Sequence, residues 1–225
     1  MLTIVLAVAV ALALVALARR QGPRALPRRA RPPRSPQAPT DVRALFAARE
    51  IDGYDLTVEA IGKLHLPTGR ILACDPLVFA EDPPLERSVP PGDYPVAALV
   101  ARKGKEELYA ALRIVFASGA PARYEPAGDY GVDAGLGCFM DAATAPLFLP
   151  LPEDDTFVDT TLLPSLARSP SFFPRANDPR NAIIVASGYG DGLYRSTWAL
   201  SETGQVLWLV TDFAVVTAPG APAAP

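Results

Sequence analysis

The chain has 225 residues, half of them apolar, enough for one domain of ordinary size with a sizeable core. Its 25 prolines outnumber its 16 glycines, and proline breaks helix interiors, so the composition favours strands and loops. Residues 19–49 hold nine arginines and one acid, Asp41, which leaves twelve bases and twenty-three acids in 50–225, a net of −11. That balance excludes a nucleic-acid reader, which needs a basic face.

Residues 1–18, MLTIVLAVAVALALVALA, carry no charge and one polar side chain, Thr3. A helix of this length spans roughly 27 Å at about 1.5 Å per residue, enough for a thin bilayer. No positive region precedes it, and seven arginines follow between 19 and 34. Positive charge stays on the cytoplasmic side. The expectation is a single-pass membrane anchor with the globular domain in the cytoplasm. Two alternatives stay open: a signal peptide cleaved after Ala16-Leu17-Ala18, with the domain exported, and a start codon placed too far upstream.

Residues 19–40 form an Arg/Pro-rich spacer. Prolines at 23, 27, 32, 33, 36 and 39 favour an extended, disordered linker, whose arginines suit anionic headgroups. The globular domain is expected over 41–216, with a disordered tail at 217–225. Thr40-Asp41 caps a short helix, Val42 to Glu50, with Val42, Leu45 and Phe46 on one face. Strands follow at Tyr54–Ile61 by alternation and at Ile71–Cys74 by a short apolar run. Pro95–Ala101 and Leu108–Ala117 pair across the polar turn 102–107. Later strands lie at Asn181–Ser187, Tyr194–Leu200 and Gln205–Phe213, the last two joined by a hairpin at Ser201–Gly204. Helical stretches are expected only after Asp141 and within 157–168. Many short strands with Gly/Pro turns predict a mainly β fold, a single β-sandwich or open-barrel-like domain with a few short helices.

The one histidine, His65, lies between two leucines and is read as structural. A Ser-His-Asp or Cys-His mechanism would have to use it, and a zinc site would lack a second imidazole. Cys74 and Cys138 belong to no C-x-x-C pair and are read as buried, reduced thiols; whether they pair stays open. No cofactor fingerprint and no metal-ligand spacing is present. In 133–141, Gly135 and Gly137 permit positive φ and a tight loop whose N–H groups converge. Glycines replace the oxygen-bearing positions of an EF-hand, and Met140 replaces the third glycine of a dinucleotide fingerprint. The stretch is a turn ending in a helix-capping Asp141, or a ligand loop. The loop 187–192, with Gly190 and Asp191, joins two strands as a hairpin turn or lets a ligand approach the backbone. Trp198 and Trp208 are expected in the core or a cleft wall.

Five segments, Leu66–Leu77, Pro90–Val96, Gly131–Asp141, Ser187–Tyr194 and Val210–Phe213, together resemble the bacterial domain-of-unknown-function 4241 family over about residues 54–213. Arg195 and Ala199 stand where that pattern carries proline and glycine. The resemblance implies no activity.

Two functions are compatible with these residues. One is a membrane-tethered binding or interaction module whose acidic surface takes a basic protein partner. The other is a carboxylate- or metal-dependent hydrolase in which clustered aspartates hold Mg²⁺ or Ca²⁺ and activate water. The candidate ligand-binding residues are Asp75, Asp133, Gly135, Gly137, Asp141, Gly190, Asp191 and Asp212, with both glycine-aspartate loops expected at one end of the sheet.

Overall fold

The computed structural model describes residues 42–78, 80, 82–148 and 157–217. The expected anchor, spacer and Asp41 cap, and the tail beyond Thr217, lie outside them. Among the described residues no helix is long and apolar enough to cross a membrane.

A short helix α1 (Val42–Ala47) leads into β1 (Glu50–Ile51), β2 (Tyr54–Leu66), β3 (Ile71–Cys74), β4 (Gly92–Lys103), β5 (Glu106–Val115), β6 (Arg123–Val132) and β7 (Leu136–Asp141). A 3-10 turn at Ala145–Leu147, a π-helical turn at Val158–Leu162 and helix α2 (Leu163–Leu166) precede β8 (Ser171–Phe172), β9 (Ala182–Ala186), β10 (Gly192–Leu200) and β11 (Val206–Asp212). Seven strands in the order β1-β2-β4-β5-β11-β10-β6 form one antiparallel sheet, curled into a half-barrel. Four more, β3-β7-β9-β8, form the second. The fold is mainly β with few helices, as composition and turn spacing lead one to expect.

Burial follows the strand pattern. Early in β2 the buried side chains are Tyr54 and Leu56; past a register shift at Ala60/Gly62 they are Leu64 and Leu66. One extra residue reverses which face of the strand points inward. The first pair shares its face with α1, and the second meets the small sheet, where Gly62 lies against Ser171 and Ile183. Past β1, the free edge of β2 is met by Asn181. The His65 N–H donates to Asn181 Oδ1 at 2.9 Å, and Asn181 Nδ2 donates to the Lys63 carbonyl at 2.8 Å. His65 Nδ1 lies 2.7 Å from Asp93 across the β2–β4 pair.

The small sheet is buried on both faces. Ile71, Ala73, Phe139, Ile183 and Val185 join the main core. Leu72, Cys74, Leu136, Cys138, Met140 and Ile184 join a second core under the helical turns, with Phe148, Leu162 and Phe172. Cys74 and Cys138 are both free thiols, directly opposite each other in the β3–β7 register. Burial and the neighbouring thiol push Cys138 well above the usual cysteine range.

Three expectations need correction. Residues 136–141 are a strand, so Gly137 is no loop residue; a Cβ there would fall 2.5 Å from the Phe213 ring. Asp141 ends that strand and caps no α-helix: its carboxylate accepts the N–H of Ala143 two residues on, ahead of the 3-10 turn. The loop 187–191 is no hairpin, because β9 lies in the small sheet and β10 in the large one. The β4–β5 pairing and the β10–β11 hairpin form where expected.

Candidate functional site

Both glycine-aspartate loops do stand at one end of the large sheet. Gly192 pairs with Val132, so Asp191 and Asp133 each lie one residue beyond the same rung. The Ser187 N–H donates to the Gly135 carbonyl at 3.1 Å and ties the loops together. Gly135 and Gly190 have positive φ, +69° and +113°. The 187–191 loop is fastened from below: Ser187 Oγ donates to the Gly190 carbonyl at 2.8 Å, and the Tyr194 hydroxyl lies 2.6 Å from that oxygen and 2.9 Å from the Ser187 carbonyl. Asp133 and Asp191 remain exposed.

Asp75 holds the other loop. Fully buried after β3, it accepts the Leu77 N–H on Oδ1 at 3.0 Å and the Asp133 and Ala134 N–H groups on Oδ2 at 3.1 and 2.6 Å. Burial pushes its carboxyl up to about 6, against the pull of these three donors. Asp212 lies in a row with Arg195 and Asp129 across β11, β10 and β6, one residue before Phe213, which packs against Gly188 of the loop. Its carboxyl is also raised to about 6 by burial, with the Ala214 N–H and Arg195 drawing it down. Asp141, at the far end of β7 and roughly 17 Å along the strand from Leu136, binds the N–H and hydroxyl of Thr68 at 3.0 and 2.8 Å. The candidate aspartates thus divide into an exposed pair, two buried loop-holders and one in a charged row.

The raised carboxyl of buried Asp75 fixes the sign of a pH dependence. The folded state keeps a proton that the unfolded chain releases near 3.8, so stability is lost as pH rises from about 4 to about 6. Unfolding free energy from urea melts is therefore expected to be greater at pH 5 than at pH 7, by about 1 kcal/mol from Asp75 alone. A rise in unfolding free energy from pH 5 to pH 7 would show instead that the charged form of Asp75 is the one the fold favours.

Three residues at this end escaped the sequence reading as partners. The Tyr54 hydroxyl donates to Glu106 Oε2 at 2.5 Å, which leaves its oxygen to accept from Tyr189 at 2.6 Å. These bonds push Tyr54 far above the usual tyrosine range. Tyr189, 64% exposed, is thereby fixed by its tip while its ring faces solvent. The signal for Tyr189 was its place within a glycine-rich loop; nothing in sequence joins Tyr54 to Glu106, fifty-two residues away.

Among the described residues no three His, Cys, Asp or Glu side chains stand where they could hold a metal ion. The fold and this loop cluster define a two-sheet β protein with an acidic, tyrosine-bearing end. A family model described as "Protein of unknown function (DUF4241)" matches residues 64–211, and the chain belongs to that family. No curated protein and no solved structure matches it.

Proposed function

We propose that this protein is a binding module, tethered to the membrane by residues 1–18, whose loop end engages a basic protein partner. The observation that carries this reading is Tyr189: an exposed ring held by Tyr54 and Glu106 on a loop that also presents Asp191 beside Asp133. A pre-ordered tyrosine gives contact area at small entropic cost, and flanking carboxylates steer a cationic partner. The −11 balance of residues 50–225 supports the same sign of partner. A carboxylate- or metal-dependent hydrolase finds less support, because Asp75 spends its oxygens on backbone N–H groups and Asp141 lies at the other end of its strand.

The test uses hexa-arginine as the probe and residue-resolved NMR of the full-length protein. Amide shifts should concentrate in 133–135 and 187–191 and weaken with added salt. Asp133→Asn with Asp191→Asn, and separately Tyr189→Ala, should each weaken binding about tenfold with the unfolding midpoint unchanged. Shifts scattered over the whole acidic surface, equal in all variants, would remove the loop end as the docking site.

A further inference from the structure

Arg113 in β5 is unlike the other arginines of the large sheet. Arg102 pairs with Glu59 and Glu107, Arg195 faces Asp129, and Arg123 faces Glu125. Among the described residues no carboxylate pairs with Arg113. Its guanidinium lies between two aromatic rings, 4.3 Å from the centroid of Phe46 on α1 and 4.7 Å from that of Trp208 on β11. Its Nε is sealed from solvent without a hydrogen-bond partner. The rings supply cation–π attraction, yet neither offers an oxygen acceptor for the N–H groups. The Arg113 Nε–H, one of the in-plane donors suited to a planar oxyanion, is left without an acceptor. Burial without a counter-charge also disfavours the cation.

The floor beside this group is open and apolar. Ala60, Ala97 and Arg113 are direct cross-strand neighbours in β2, β4 and β5. Alternation puts Val58 on the same face one rung away, and it is 41% exposed. Ala60 is exposed and Ala97 half-buried, so small side chains leave room where a core would carry large ones. Arg195, on the same face two strands away, is already engaged by Asp129. One unpaired guanidinium beside an apolar floor matches a single negative charge on an apolar body; a phosphate dianion would call for a second base.

We propose that Arg113 anchors a binding site for a small monocarboxylate with an apolar body, its carboxylate on the guanidinium edge and its body along Ala97, Ala60 and Val58. This site lies on the α1-bearing face and is independent of the loop end.

The experiment titrates the full-length protein with sodium hexanoate, acetate and phosphate at matched ionic strength, following the Arg113 Nε–H and the Ala60 and Ala97 amides by NMR. Hexanoate should give saturable shifts at these three residues, with an affinity at least tenfold above that of acetate, and phosphate should give none. Arg113→Gln should abolish saturation. Because that change also removes a ring-stacked side chain, Ala60→Asp, at an exposed position, serves as the second variant: it should weaken hexanoate at least tenfold through repulsion while the spectrum stays folded. The proposal is overturned by the absence of saturable hexanoate shifts at these residues, by phosphate binding as well as hexanoate, or by either variant retaining full affinity.

Discussion

Alanine at position 69 should destabilise the protein by about 4 kcal/mol, the largest loss expected from a single methyl group in this fold. Gly69 lies in the turn where the chain leaves β2 in the large sheet and enters β3 in the small one. It has φ +69°, and a Cβ there would fall 1.8 Å from the Val89 carbonyl oxygen. The left-handed conformation alone costs a non-glycine residue about 1–2 kcal/mol. The overlap is with backbone, not with a side chain that can swing away, so the 88–90 segment must move and the Val89 N–H bond to the Gly69 carbonyl, 2.9 Å, is put at risk. Urea denaturation gives the measurement. A loss below about 1 kcal/mol would mean that the turn can open without disturbing the join between the sheets.

Asp75→Ala is expected to rank second, at about 2–4 kcal/mol at neutral pH. It strands the N–H groups of Leu77, Asp133 and Ala134, the first and last on buried residues, and an unsatisfied buried donor costs about 1–3 kcal/mol. The loss falls short of the sum because the variant also escapes the burial of a carboxylate whose charged form is disfavoured at that site. Asp75→Asn should recover little, since its amide NH₂ would face backbone donors at one of the two oxygen positions. Hydrogen exchange at Asp133 and Ala134 separates this local effect from global unfolding: both amides should exchange faster than the β4 and β5 amides. Uniform acceleration throughout the protein would assign Asp75 to general stability and not to the loop.

Strands whose two faces differ were legible in the sequence. Tyr54-Asp55-Leu56 alternates because one side meets the core and the other meets water. The β4–β5 pair was legible because Arg102 to Glu107 interrupts two apolar runs with charge. Hidden were the strands without that contrast. Leu136 to Asp141 is buried on both faces, so it shows no alternation, and its glycine imitates a loop. Arg123 to Val132 carries Pro126 and Gly128, which argue against a strand, and it is tolerated as an edge strand whose register shifts at that point. The same division holds for the candidate site. Adjacent loops could be inferred from glycine and aspartate near strand ends, and Asp133 and Asp191 do share one end. What sets Asp75 and Asp141 apart from them is which backbone N–H groups each meets, and that depends on the pairing of β3 with β7, contacts more than fifty residues apart in sequence.

The side-chain amide of Asn181 has a consequence for how copies of this protein meet. An open strand edge is a template on which another chain can add a strand, and repeated addition leads to fibres. By accepting from His65 and donating to Lys63, Asn181 engages that edge of β2 within the molecule. At the sheet's opposite border, β6 carries a proline and an irregular register, which disfavour regular strand addition. Both borders of the half-barrel are thereby made poor templates. Such protection matters most for chains crowded on a surface, where side-by-side encounters are frequent and growth in the plane would otherwise be favoured.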